Sequence, residues 1–279
     1  MKVNRNFKDS VFTKLFSEPE LLRDLYCALA GNSIPESVPV SINTLEKVLY
    51  MDLYNDISFE IGGKLIVLIE HQSTINPNMP LRMLFYISKI LEKTIKRKGL
   101  YTEMQLTVPW PEFYVLYNGK KPYPEETTLK LSELFEKTQK LSFQEKAHPL
   151  LELEVKVLNI NEGKNDDKIK RCAKLAEYSA FVTITNEYME ETDDKEKALE
   201  EAIIYCQNHD ILKEFLEKHG TEVLYMLLEE WNIDDAKEVW QEDARAEGIE
   251  QGMAKGKAEI IALLKKGISL EEIEKMSTK

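Results

Sequence analysis

The sequence predicts an α/β protein that continues into a helical region. Two apolar runs, 65–69 and 113–117, have the length of strands buried on both faces. A helical pattern at 80–98 separates them, and a strand, a crossover helix and a second strand imply parallel pairing with a right-handed connection. From about residue 166 the apolar spacing is helical only. These three observations define the expected fold class.

The other expected elements follow in chain order. Two amphipathic helices are predicted at 9–16 and 17–30, the second ending at Gly31. Alternating apolar residues predict strands at 49–53, 57–61 and 151–157, with a turn at Gly62-Gly63. The helical region is expected to contain helices at 166–189, 195–216, 222–231 and from 235 onward. We therefore expect a mixed α/β domain at 1–160 and a helical C-terminal region at 161–279.

Charge is distributed unevenly along the chain. The net charge is −12, but residues 1–140 carry 18 basic and 17 acidic side chains, so the negative charge belongs to the second half. An acidic protein is a poor general binder of nucleic acid, yet the first half carries a basic cluster that suits DNA phosphates. The cluster consists of Lys93, Lys96, Arg97 and Lys98.

The chain shows no sign of a membrane or secretory protein. No apolar run approaches the roughly 20 residues of a membrane-spanning helix, and the N-terminal MKVNRNFKDS lacks the apolar core of a signal peptide. Cys27, Cys172 and Cys206 are odd in number and widely separated, which argues against a zinc site or a disulfide framework. We expect a cytoplasmic protein with no membrane partner.

The C-terminal stretch has glycines at four-residue spacing. Gly248, Gly252 and Gly256 would lie along one stripe of a helix, where a second backbone can approach closely. Glycine also costs a solvated helix about 1 kcal/mol per residue. The pattern fits a homo-oligomer held through this helix and a frayed, low-complexity tail equally well.

The segment NDISFEIGGKLIVLIEHQS, residues 55–73, carries the candidate chemistry. It puts Asp56 at the start of one strand and Glu70 at the end of the next. A buried carboxylate is costly without a partner, and a divalent cation such as Mg²⁺ takes one or two protein carboxylates. Period-two alternation puts Glu70 and Gln72 on one face of their strand. The backbone carbonyl of His71, between them, is a third candidate oxygen ligand, and the His71 side chain is expected to be structural.

The turn between the two strands provides a geometric criterion. A two-residue Gly62-Gly63 turn would pair Asp56 with Ile69 and direct it away from Glu70. A three-residue loop that includes Lys64, or a bulge, would put Asp56 opposite Glu70. The metal hypothesis requires the second arrangement. The alternative is that Asp56 is a solvent-exposed strand residue and Glu70 a helix or loop cap.

Several segments resemble a known family. They are similar to segments of the Rpn family of recombination-promoting nucleases and transposase-like proteins, within the PD-(D/E)XK superfamily. The resemblance covers roughly residues 7–160, and its most specific part runs from EHQS to MPLR. It implies a restriction-endonuclease-like αβββαβ core, dependence on Mg²⁺ with Mn²⁺ as a substitute, and DNA cleavage. The segments are KDSVFTKLF, NDISF, LIVLIEHQSTINPNMPLRMLFYISKILE and PEFYVLYNGKK.

Matched residue by residue, the resemblance implies that Asp56 and Glu70 are the motif carboxylates. Gln72 takes the position of the superfamily's lysine, and Asp9 matches a helix carboxylate often found near the site. Lysine would stabilise the charge of the reacting phosphate, whereas glutamine adds no charge.

Three explanations for the missing lysine remain open. Either the metal carries more of the stabilisation, or another cation such as Lys64 or Lys120 reaches the site, or activity is low. The expected function is therefore a metal-dependent DNA endonuclease in recombination or with a mobile element. The alternative is a nuclease-fold protein that cleaves weakly or not at all and binds DNA or another protein.

Overall fold

A six-stranded mixed sheet organises the structure, a computed structural model that describes residues 11–42, 57–135, 149–192 and 194–228. The strand order is β1-β2-β3-β4-β6-β5. The first three strands are antiparallel neighbours, β4 runs parallel to both β3 and β6, and β5 is antiparallel to β6. The strands are β1 Val40–Ile42, β2 Ile57–Ile61, β3 Leu65–Gln72, β4 Trp110–Tyr117, β5 Glu126–Lys130 and β6 Glu154–Asn159.

Helices precede, cross and follow the sheet. One crossover helix, α3, connects β3 to the parallel strand β4, as the sequence predicts. The described part of the C-terminal region contains helices joined by turns and no strand. The helices are α1 Val11–Leu15, α2 Pro19–Ala30, α3 Met79–Thr94, α4 Asp166–Ile169, α5 Ala173–Glu191, α6 Lys195–Asn208 and α7 at 213–228.

Each face of the sheet covers a separate core. The first core lies against α1, α2 and the C-terminal helices and receives Val67 and Ile69 from β3. The second core lies against α3 and receives Ile66 and Leu68 from the same strand. Burial on both faces explains why β3 reads as an unbroken apolar run. The alternation also fixes which face each polar residue at the end of β3 occupies.

The predicted helix 80–98 is too long, because α3 ends at Thr94. The Thr94 hydroxyl donates to the Ile90 carbonyl oxygen at 2.8 Å, and Ile95 is extended, with φ −88° and ψ 129°. A β-branched residue that bonds back to its own helix favours such an ending. A 3-10 turn, Arg97–Tyr101, follows. Most of the basic cluster therefore lies beyond the helix.

Two further predicted helices, 166–189 and 195–216, are interrupted. The first is divided at Cys172, whose backbone is extended (φ −117°, ψ 100°). The second stops at Asn208, and Leu212 adopts a left-handed φ of 48°. The Leu212 N–H donates to the Glu177 carboxylate of α5 at 2.9 Å. This long-range contact stabilises a backbone conformation that the local sequence disfavours.

Strands β1 and β5 are absent from the sequence prediction, and the predicted strand 49–53 lies outside the described residues. The chain divides into two compact units, Met1–Leu227 and Leu228–Lys279. The helices α4 to α7 thus share a unit with the sheet, apart from the last residue of α7. The predicted domain boundary at residue 160 stays a prediction. Within the described ranges, no helix is both long and apolar enough to cross a membrane.

Candidate functional site

The loop between β2 and β3 has the three-residue form that the metal hypothesis requires. Ile57 pairs with Ile69 and Ile61 with Leu65, so Gly62, Gly63 and Lys64 form the connection. Both glycines have a positive φ, 59° and 67°, a backbone conformation that residues with a side chain rarely adopt. Asp56 itself lies outside the described residues, so its pairing with Glu70 stays a prediction.

Glu70 is a buried carboxylate at the end of β3. The residue is 3% exposed, and its Oε2 accepts a hydrogen bond from Arg82 Nη2 at 3.1 Å. Arg82 lies in the first turns of α3, which begins beside the end of β3. A carboxylate without an opposite charge would not remain ionised at such low exposure. The ion pair therefore accounts for a charged side chain within the second core.

Gln72 shares the face of β3 that Glu70 occupies. Its Nε2 lies 2.8 Å from the sulfur of Met79, the first residue of α3. Glu70 and Gln72 thus both face α3, which agrees with the two-residue period used in the sequence analysis. The site consists of two polar side chains from one strand and the N-terminal turns of the helix that follows it.

Arg82 connects this site to Tyr86, one helical turn further along α3. The Tyr86 hydroxyl lies 2.7 Å from Arg82 Nη2 and 3.2 Å from Arg82 Nε. Burial raises the pKa of Tyr86, the Glu70 carboxylate raises it further, and the Arg82 charge opposes both. Tyr86 therefore stays neutral, and its hydroxyl serves as an acceptor for the guanidinium.

His71 lies on the opposite face, in the first core. Its ring stacks on Phe12 at a centroid distance of 5.3 Å and meets Tyr178 edge-on, also at 5.3 Å. Burial lowers the pKa of His71 to about 4, and a hydrogen bond to the Asn118 side chain opposes that shift. The imidazole is thus neutral near pH 7 and packs between α1 and α5, as expected of a structural histidine. The backbone carbonyl of His71 as a metal ligand stays a prediction.

The structure describes two of the three other predicted site residues, Lys64 and Lys120. Lys64 is at the far end of β3, about 20 Å from Glu70 at 3.3 Å per residue. Lys120 follows β4, and its Nζ forms an ion pair with Glu190 at 2.6 Å. Asp9 is outside the described residues. Lys64 is therefore too distant to contact Glu70, and a contact between Lys120 and the site stays a prediction.

The basic cluster occupies the other end of α3. Lys93, Lys96 and Lys98 are exposed, and Lys93 lies about 16 Å beyond Arg82 at the helical rise of 1.5 Å per residue. The Arg97 side chain lies outside the part of the protein that the structure describes. The cluster and Glu70 therefore do not contact the same phosphate, although an extended nucleic acid could contact both.

The sequence analysis missed Arg82 and Tyr86. Their four-residue spacing places both on one helical face, and Arg82 lies in the MPLR segment that is most specific to the resemblance. Across the described ranges, no group of three or more His, Cys, Asp and Glu side chains is arranged to hold a metal ion. Any metal set that uses Glu70 must therefore be completed by residues beyond these ranges, by backbone or amide oxygens, or by water.

Comparison with protein families gives a match over most of the chain. The family described as "Putative transposase, YhgA-like" matches residues 8–214, which includes the whole sheet and helices α1 to α6. No curated protein and no solved structure matches the chain.

Proposed function

The chain belongs to the YhgA-like putative transposase family, and from this premise we propose that it is a metal-dependent DNA endonuclease acting in recombination or with a mobile element. The observation that carries the proposal is the buried carboxylate Glu70, which ends a central strand beside Gln72 and the start of α3. The chain order α2, β1, β2, β3, α3, β4 also follows the αβββαβ order of the restriction-endonuclease-like core.

The register of β2 and β3 supports a second carboxylate at the same place. Continued by one residue, the pairing of Ile57 with Ile69 would put Asp56 opposite Glu70. If the strand alternation extended to Asp56, its side chain would lie on the face of Ser58, which is the face toward α3. We propose that these two carboxylates hold one Mg²⁺ or Mn²⁺.

The donor chemistry fits such an ion. Mg²⁺ prefers oxygen ligands, uses one or two carboxylates and keeps several waters, so Asp56 and Glu70 with the His71 carbonyl would suffice. A bound divalent cation would lower the pKa of a water and neutralise charge on the phosphate. In the hydrolysis, water oxygen attacks phosphorus, one bridging P–O bond breaks, and the departing oxygen takes up a proton. The Gln72 amide would orient the water or the phosphate.

The DNA surface that we propose begins at this site and continues toward the basic cluster. Lys93, Lys96 and Lys98 are exposed, and each could neutralise a phosphate as the duplex crosses α3. Each such contact contributes about 0.9 to the slope of log affinity against log salt. Replacement of all three by Gln should weaken binding to every sequence alike.

Nicking of supercoiled plasmid by the purified protein tests the function. We expect cleavage with Mg²⁺ or Mn²⁺, none with EDTA, and a loss of at least about a hundredfold in Asp56→Asn and Glu70→Gln. Glu70→Gln should fold, because Arg82 is 29% exposed and can turn toward solvent. Glu92→Gln, an exposed carboxylate on α3 paired with Lys89, is the matched control. Metal-dependent cleavage that survives Glu70→Gln would contradict the proposed site.

A second candidate function is a nuclease-fold module that binds DNA or protein without cleaving. Two observations favour it, the neutral Gln72 in the lysine position and the Arg82 guanidinium already paired with Glu70. This candidate predicts DNA binding without nicking under either metal. It also predicts no metal-induced rise in melting temperature, whereas a ligand held by Glu70 would raise that temperature by mass action.

A further inference from the structure

Arg82 extends from a buried carboxylate to the protein surface. Its side chain is 29% exposed, whereas the side chain of its partner Glu70 is 4% exposed. An anion approaching from solvent would therefore meet the guanidinium before the carboxylate. This position suits a cation that binds substrate as well as one that neutralises Glu70.

The contacts of Arg82 differ greatly in strength from one nitrogen to another. Nη2 donates to Glu70 Oε2 at 3.1 Å and to the Tyr86 hydroxyl at 2.7 Å. Nη1 faces the sulfur of Met79 at 3.6 Å, and a thioether is a weak acceptor. A phosphate oxygen forms a charge-assisted hydrogen bond that is much stronger. A phosphate oxygen is therefore a much better acceptor for Nη1 than the Met79 sulfur.

The strand position that carries lysine in the superfamily supplies no positive charge here. Gln72 is neutral, Lys64 lies at the far end of β3, and Lys120 is engaged with Glu190. Arg82 is a permanent cation in direct contact with Glu70. Its planar fork can grip two oxygens of one phosphate.

We propose that Arg82 binds a phosphate of the DNA backbone at this site and supplies the positive charge that Gln72 does not. The inference rests on the proposed endonuclease function. Tyr86 is then a positioning residue, because it touches the guanidinium and holds it beside Glu70. In this arrangement the positive charge comes from Arg82 of α3 rather than from a side chain of β3.

Two measurements on Arg82→Gln test this assignment. The first is the binding of a labelled DNA duplex in Ca²⁺ over a series of salt concentrations. The slope of log affinity against log salt should become smaller in magnitude by about 0.9, the value of one phosphate contact. The second is plasmid nicking in Mg²⁺, which should fall about 100-fold to 1000-fold. Arg82→Lys should keep the slope and recover part of the rate. Lys89→Gln, a cation of the same helix paired with Glu92, should change neither.

The outcomes separate the inference from the function on which it rests. A wild-type slope or a wild-type nicking rate in Arg82→Gln overturns the inference, since a purely structural partner of Glu70 would leave the slope unchanged. A wild-type protein that nicks under neither Mg²⁺ nor Mn²⁺ overturns the proposed function, and the slope alone then decides whether Arg82 binds phosphate.

Arg82→Gln leaves a buried carboxylate beside a neutral side chain, which destabilises the folded protein. The comparison is therefore repeated in a background without that charge. Glu70→Gln with Arg82→Gln should show a slope about 0.9 lower than Glu70→Gln alone. Neither variant buries the unpaired Glu70 charge, so equal slopes in the two variants would overturn the inference whatever the stability of Arg82→Gln.

Discussion

At the scale of single residues, the Tyr86 hydroxyl gives the Arg82 guanidinium a buried acceptor. Hydrogen bonds to charged groups contribute about 1.5–3 kcal/mol, and neutral ones about 0.5–1.5 kcal/mol. Tyr86→Phe should therefore lower the free energy of unfolding more than Tyr117→Phe, whose hydroxyl donates to the Lys121 carbonyl at 2.7 Å. Urea denaturation of both variants measures the difference. Equal losses of unfolding free energy in the two variants would show that the hydrogen bond to Arg82 contributes no more than a neutral one.

The depressed pKa of His71 predicts a specific dependence of stability on pH. The folded value is about 4 and the ordinary value 6.5, so the unfolded chain takes up the proton first as the pH falls. The stability is fully present above pH 6.5 and is lost between pH 6.5 and 4. From pH 7 to pH 5 the loss attributable to His71 should be about 2 kcal/mol.

His71→Gln removes this titration and should unfold with a flatter pH profile over that window. The measurement is urea denaturation of both proteins at pH 7 and pH 5 in EDTA, so that no metal near Glu70 disturbs the ring. Phe12 and Tyr178, which enclose the imidazole, are unchanged in the variant. Parallel pH profiles for the two proteins would show that the imidazole is not held neutral by burial.

The sequence could predict which site residues share a face but not what lies opposite them. Period-two alternation is local, and it correctly put Glu70 and Gln72 together. The approach of Arg82 depends on how α3 returns across the sheet, a contact between residues 12 positions apart. Lys64 was a candidate only because the sequence pattern carries no distances.

At the scale of elements, the ends of β3 and β4 meet so closely that only glycine fits at position 119. A Cβ there would lie 1.8 Å from the Ser73 carbonyl oxygen and 2.6 Å from the Tyr117 hydroxyl. The Asn118 N–H donates to the Gln72 carbonyl at 3.0 Å and holds the two strand ends together. Gly119→Ala should therefore displace backbone beside the candidate site.

We expect Gly119→Ala to lose about 1–3 kcal/mol of unfolding free energy, the usual range for overpacking. Gly220→Ala is the control of opposite sign, because Gly220 lies in α7 and its Cβ would meet only side chains of α6, at 3.7 Å. Alanine in a helix is favoured over glycine by about 0.5–1 kcal/mol. Calorimetric or urea unfolding of both variants measures the effect, and a neutral Gly119→Ala would contradict the close approach.

Elements with apolar runs were predicted, and elements at the sheet edge were missed. Strands β3 and β4 and helix α3 bury long apolar stretches, so their patterns are strong. Strand β5 has the sequence ETTLK, alternates between exposed and half-buried residues, and lies at the edge of the sheet. Its position depends on pairing with β6 across an intervening segment. No local signal distinguishes such a strand from a loop.

At the scale of the whole molecule, the first core combines both halves of the sequence. One face of the sheet receives apolar residues from α1 and α2 and also from helices beyond residue 165. The change to purely helical apolar spacing had suggested a boundary near 160. Composition does not reveal the narrow apolar faces by which those helices join the sheet. The contributing residues include Ile169, Leu175, Tyr178, Phe181, Ile203, Leu212, Leu216 and Val223.

Truncation distinguishes a domain that ends near residue 160 from one that ends at Leu227. Burying one large apolar side chain contributes about 1.5–3 kcal/mol, whereas a whole domain is stable by only about 5–15 kcal/mol. A chain of residues 1–165 would expose one face of the sheet and lose several such contributions, so it should show no cooperative unfolding transition. A chain of residues 1–227 keeps them and should unfold cooperatively. Circular dichroism during urea denaturation of the two chains measures the difference, and a cooperative transition in 1–165 would establish the shorter domain instead.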